Sequence, residues 1–431
     1  MLGFCAQSKF TRQLSNIFTI SIIGVFLTTP TNANTSCRHI LDKPDGPAWS
    51  KSAKPKDRDV FRDTYDFHRD WGTRLLLDTD PIWSDPEYLR QLHEFAVPRI
   101  TNYDKFGPPS KLKADYENLL RSFAEGSVLN YTVTGTAANN LFYEYAEVAY
   151  QLRTGKRAKR VQLLAFNHAY GGSHGRTVEV KYGGNKPDGY GLPTPFIHPN
   201  KPLNKAELED IIATEKAALD KIRHFVSDPT KEVGGIFIEP ASINHGLRVY
   251  RPEFMTQLRA LADELEVPIF ADEIMSGGRT GKFWAYQHYE GFVPDAVSFG
   301  KGLIVAGVFQ PSRLSNQSYF FYHHRQGPET TTAVQPLVLL QARQVLKAIK
   351  ERDLLKNAEE MGRYYYEAMQ KKAELSNIQK KGDTAATDGT KYVKWLGLML
   401  QEPDGRLLPP ITITKEQIDY RLSESYPKDR Y

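Results

Sequence analysis

"VGGIFIEPA" (Val233–Ala241), "VPIFADE" (Val267–Glu273) and "AVSFGKG" (Ala296–Gly302) follow one another closely, and each is an apolar run that closes on a polar residue. Between the first two lies "PEFMTQLRALADELE", where Phe254, Leu258, Leu261 and Leu265 recur at steps of four, three and four, the spacing of a helix with one apolar face. Between the last two come a Gly-rich loop and a short aromatic stretch, "FWAYQHY", expected to be helical. Strands that are apolar throughout and alternate with amphipathic helices predict an α/β fold, its mostly parallel sheet covered by helices on both faces. Ligands in such sheets bind beyond the carboxyl ends of the strands, where Glu239, Asp272 and Lys301 fall. Three polar groups at one rim point to an active site, whereas any two of them alone could be a buried ion pair.

Composition sets wide bounds. The 431 residues are 40% apolar and 25% charged, as in a packed protein with room for a large domain and a smaller one. The formal charge of +5 is spread along the chain, and its densest basic stretch, "RTGKRAKR" (Arg153–Arg160), reads as a solvated turn. Nucleic-acid binding is not expected. At the N-terminus, Lys9 and Arg12 precede the apolar run Ile17–Thr29 and the small residues Thr31 and Ala33. This is the layout of a secretory signal cut after Ala33, so residues 1–33 are expected to direct export to a periplasmic or extracellular location. The run is shorter than the ~20 residues of a spanning helix, and no stable membrane anchor is expected. If the start is misassigned, the chain is cytoplasmic. Beyond Ala33 only Cys37 remains, which rules out an intramolecular disulfide or a cysteine-based metal site there. No metal is expected.

Residues 34–105 read as an irregular N-terminal segment with one helix at "DPEYLRQLHEFA". The large domain is expected over 106–325. After it, "VQPLVLLQARQVLKAIKERDLLKNAEEMGRYYYEAMQKK" reads as a long helical stretch, "GDTAATDG" as a surface loop, and "YVKWLGLML" as a strand. Residues 326–431 are thus expected to form a small α+β C-terminal domain.

An aspartate and a lysine on neighbouring strand ends suit pyridoxal phosphate, which needs an amine for a Schiff base, an acid for its ring nitrogen and donors for its phosphate. The run "ADEIMSGGRTGKFWAYQHYEGFVPDAVSFGKG" resembles the class III (subgroup II) aminotransferases of the fold type I pyridoxal-phosphate enzymes. The resemblance covers about residues 106–350 and returns at 406–414. It implies Lys301 as the Schiff-base lysine, Asp272 as the partner of the ring nitrogen, and Ile274 packed beneath the ring. "TGTAAN" resembles the family's phosphate turn, with Gly135 and Thr136 as donors at a helix N-terminus. "NHAYGGSHGRT" resembles its aromatic turn, with Tyr170 as the stacking ring. "GPETTTAVQP" implies that Thr331 reaches the cofactor phosphate of a neighbouring subunit, hence a homodimer with a shared site. "GRLLPPITIT" implies that Arg406 holds a substrate carboxylate.

The chain also departs from the family pattern. Met275 stands where a Gln is common, Glu239-Pro240-Ala241-Ser242 lacks another Gln, and the chain between "GLML" and "GRLLPP" is short. The implied reaction moves an amino group from an amine or amino acid to an oxo acid. Decarboxylation, epimerisation or an aminomutase reaction on the same scaffold, or a non-catalytic exported relative, are the alternatives.

Overall fold

The computed structural model describes residues 73–77, 79–95, 111–181, 190–244, 246–312, 335–379, 394–402 and 405–423. Helices α1 (Pro86–Phe95) and α2 (Lys111–Arg121) lead into β1 (Gly126–Thr132) and α3 (Gly135–Thr154). Strands β2 (Gln162–Phe166) and β3 (Gly191–Leu192), helix α4 (Lys205–Ser227) and strand β4 (Val233–Ile238) follow. A hairpin of β5 (Ala241–Ser242) and β6 (Arg248–Val249) precedes α5 (Pro252–Glu264), β7 (Ile269–Asp272), β8 (Ala296–Phe299) and β9 (Ala306–Pro311). Helices α6 (Pro336–Glu351) and α7 (Leu354–Gln379), strands β10 (Lys394–Leu396), β11 (Met399–Glu402) and β12 (Gly405–Leu407), and α8 (Lys415–Leu422) complete the described chain.

The sheet runs β1-β9-β8-β7-β4-β2-β3. Its strands are parallel except β9, which pairs antiparallel with both neighbours. This is the α/β architecture expected from the alternating pattern. "FWAYQHY" supplies a 3-10 helix at Ala285–His288, and the long stretch after Thr332 is two helices. The break falls at Asp353, whose φ of +49° belongs to the left-handed region that an α-helix cannot continue through.

Although the central strands are apolar throughout, their side chains still alternate between two cores. Phe237, Phe270 and Ala296 pack with Leu141 and Phe142 of α3. The Phe142 and Phe270 rings stack with centroids 4.8 Å apart. Ile236, Ile238, Ile269, Ala271, Val297 and Phe299 join the larger core with α2, α4, α5 and α6. The first glycine of "VGG" sets how closely α3 approaches. A Cβ on Gly234 would lie 2.4 Å from the Ala146 carbonyl oxygen, so only glycine lets the helix seat there.

A buried ion pair fixes one edge of this arrangement. Arg259 of α5 donates to Asp295 at 2.7 Å, and the same Asp295 oxygen accepts the Ile269 N–H at 2.7 Å. Asp295 therefore ties the start of β7 to the chain entering β8. Arg259 also pairs with Asp263 at 2.8 Å, so the cation keeps a partner on its own helix.

Candidate active site

Strand register brings the rim together. Phe237 lies opposite Phe270, and Phe270 opposite Ala296, all on the α3 side of the sheet. Two residues further along each strand the same face carries Glu239, Asp272 and Ser298, by the period of two. All three are buried. Asp272 accepts from the Ile274 N–H at 3.0 Å and from the Asn139 side chain at 2.8 Å. Asn139 also donates to the Gly171 carbonyl at 2.5 Å, so α3, the 170–172 turn and β7 are joined at one amide. The next residue, Glu273, turns the other way. It takes N–H bonds from Ala285 and Tyr286 and a hydroxyl bond from Ser276, and burial pushes its carboxyl up to about 7. Of the adjacent acids, Asp272 faces the cleft and Glu273 anchors the 3-10 helix behind it.

Lys301 begins a short 3-10 turn after β8, with φ +47°. A lysine held in the left-handed region marks a backbone constrained by its surroundings, as happens at functional sites. Its Nζ lies 5.9 Å from the centroid of the Tyr170 ring. Burial pulls the ammonium toward the neutral amine, while the Asp272 and Glu239 carboxylates partly oppose this. Asp272 and Glu239 are themselves pushed up by burial, and each is also held down by Lys301. Glu239 accepts the Tyr170 N–H at 2.5 Å, which sets the base of that ring beside the lysine.

One cleft is lined by Gly135, Thr136, Tyr170, Asp272, Ile274 and Lys301, with Glu239, Asn244 and Met275 also on its wall. Every cofactor residue expected from the sequence within the described chain is therefore gathered here. Thr331 lies outside the described residues, as do residues 1–33. Thr134 caps α3 through the Ala137 N–H, which leaves the Gly135 and Thr136 amides at the helix N-terminus facing the cleft, where an anion is favoured. A Cβ on Gly135 would come within 2.5 Å of Ile274, so glycine keeps this cradle open. A helix N-terminus for a phosphate, a buried carboxylate for a ring nitrogen and a lysine amine whose pKa burial lowers together fit pyridoxal phosphate.

Arg406 stands on β12 and donates to Asn244 Oδ1 at 3.0 Å. Its charge reaches Lys301 and helps hold that ammonium down. Arg406 is partly buried and meets the wall of the cleft through Asn244. Sequence reasoning missed Asn139 and Asn244. Asn139 lies one helical turn after Gly135 and could have been found from that spacing. Nothing in the sequence near Asn244 announces Arg406, far along the chain.

The family model described as aminotransferase class-III matches residues 101–424. An ornithine aminotransferase of Bordetella pertussis is 25% identical over 356 residues, 79% of this chain and 81% of that protein. An L-lysine-epsilon aminotransferase of Amycolatopsis lactamdurans is 25% identical over 393 residues, 81% of this chain and 83% of its own. Among solved structures, a lysine aminotransferase from M. tuberculosis superposes with a TM-score of 0.67 at 23% identity, covering 81% of this chain and 86% of that one. The chain belongs to the aminotransferase class-III family and is a pyridoxal-phosphate-dependent aminotransferase of fold type I.

Proposed function

We propose that the chain carries out its transamination at the cleft around Lys301, with an amine or amino acid as donor and an oxo acid as acceptor. When bound, pyridoxal phosphate supplies an electron-accepting ring that stabilises negative charge on the carbon next to the substrate nitrogen. Lys301 is the anchoring amine and the base. Burial holds Nζ toward the neutral form, the form that takes up a proton. Asp272 offers its carboxyl group to the ring nitrogen, and Asn139 and the Ile274 N–H keep that group in place. Gly135 and Thr136 offer amides to the phosphate, Tyr170 a ring to stack, and Ile274 an apolar surface. Arg406 receives a substrate carboxylate.

The single observation that carries these roles is the meeting of Lys301 and Asp272, from separate strand ends, in one cleft at the N-terminus of α3. The test is Lys301→Ala. Borohydride treatment followed by peptide mass mapping should find the cofactor bound to Lys301 in the parent, and the variant should lose both that linkage and turnover. A fully active variant would sink the assignment. Two further parts of the reading rest on sequence. A homodimer follows from the resemblance around Thr331, which light scattering of the purified protein would test. Export directed by residues 1–33 follows from the basic and apolar pattern there, and N-terminal sequencing of the mature protein would test it.

A further inference from the structure

The β5–β6 hairpin carries one wall of the cleft: Ala241, Ile243 and Asn244 line it, and Asn244 holds Arg406. By its own ladder the hairpin is slight. Ser242 pairs with Arg248 and Ala241 with Val249, and so short a ladder is marginal without support. The same register sets Pro240 opposite Tyr250 as the next rung. Val249 exchanges both of its backbone bonds with Ile197, on the other side of β6, at 2.8 and 3.1 Å. By the alternation of an antiparallel ladder, Pro240 and Tyr250 are then the pair that should bond directly. Proline has no N–H to give, so this rung cannot close through the backbone in the ordinary way.

Tyr289 closes it with a side chain. Its hydroxyl donates to the Pro240 carbonyl at 2.6 Å and accepts the Tyr250 N–H at 3.2 Å. One oxygen thus bridges the two strands where the backbone pairing stops. Tyr289 is buried, and burial pushes its hydroxyl above the usual range, so it stays protonated and able to donate. The tyrosine is itself fixed from the floor of the cleft. Its N–H bonds the Tyr286 carbonyl at 3.0 Å, at the end of the 3-10 helix that Glu273 anchors through the Ala285 and Tyr286 N–H groups. Glu273 follows Asp272 in the chain, so a short line of bonds runs from the acid of the floor to the base of the hairpin.

We propose that Tyr289 is a positioning residue for substrate binding: its hydroxyl holds the hairpin, and with it Asn244 and the Arg406 guanidinium, in place over the floor that carries Lys301 and Asp272. Without the hydroxyl, the Pro240 carbonyl and the Tyr250 N–H lose their bonds and the wall can shift, while Lys301 and Asp272 keep their own supports. The cost therefore falls on substrate binding and spares the cofactor. This rests on transamination at Lys301.

The test is Tyr289→Phe, which keeps the ring and removes one oxygen. In the holoenzyme, the KM for 2-oxoglutarate or pyruvate, whichever the parent accepts, should rise about tenfold, the worth of one buried hydrogen bond. The kcat and the visible absorbance of the cofactor should stay close to the parent's. Hydrogen exchange at the Tyr250 amide should quicken about tenfold. Phe292→Leu loosens the same aromatic cluster, its ring centroid being 6.3 Å from that of Tyr289, without touching the rung, and should leave KM in place. An unchanged KM in Tyr289→Phe overturns the proposal, and so does an equal rise in both variants, which lost stability alone would explain. Unchanged exchange at Tyr250, or a loss confined to kcat, overturns it as well. If the parent turns over no oxo acid, the transamination reading fails, and exchange at Tyr250 still decides whether the hydroxyl holds the hairpin.

Discussion

The floor and the lip of the cleft are built in different ways. The floor comes from the ends of β4, β7 and β8, consecutive strands that are mutually parallel and buried on both faces. Its polar residues are held by backbone register, so Glu239 and Asp272 meet because Phe237 and Phe270 do. The lip comes from a short hairpin and from a small sheet contributed by a much later part of the chain, and its charged residues Arg248, Lys394 and Arg406 are partly exposed. A rigid floor suits chemistry that requires fixed proton positions. A lip on separately packed elements can change its charges without disturbing that chemistry, and here lie departures from the family's pattern such as Ala241 and Ser242.

If this division is right, changes to the floor should strike turnover and changes to the lip should strike substrate choice. The largest effect after Lys301→Ala is expected from Asp272→Asn. The amide keeps the shape but removes the charge, and kcat should drop about 10³-fold, within the range for a positioned ionisable group. Visible absorbance should show the cofactor still bound, and a kcat close to the parent's would break the comparison at its firmest point. Next is Arg406→Met, which should raise KM for carboxylate substrates by about 10-fold to 100-fold, the worth of a charge-assisted hydrogen bond, and leave kcat less affected. A drop confined to kcat would move Arg406 from the lip to the floor.

The smallest effect is a shift along the pH axis. The Glu239 carboxylate favours the Lys301 ammonium, so Glu239→Gln removes a charge that raises the lysine's pKa and lets it fall further. In apoprotein, the rate of attachment of pyridoxal phosphate to Lys301 against pH should therefore move its midpoint to lower pH. A midpoint that stays in place would mean that Glu239 is neutral in the resting protein and acts only through the Tyr170 N–H.

The floor was legible in the sequence because its signals are local. Asp272 ends an apolar run, Lys301 lies between two glycines, and Thr134-Gly135-Thr136 forms a cap before a helix. Local chemistry does not reveal a break such as Asp353, where one predicted helical stretch becomes two. Nor does it say where the adjacent Glu273 finds its partners. The α3 side of β7 receives Asp272, while Glu273 finds donors in Ser276 and in Ala285 and Tyr286 of the 3-10 helix.

By itself, the sequence determined the α/β alternation, the strand-end acid and lysine, and the helix N-terminus that could face a phosphate. These follow from periodicity, capping and the strong preference of buried strands for apolar residues. Only the tertiary structure decided that Asn139 steadies Asp272, that Asn244 meets Arg406, and that Lys394 and Arg406 flank the same strand residue. The first two join segments far apart in the chain, the third is set by sheet register, and no local pattern encodes either.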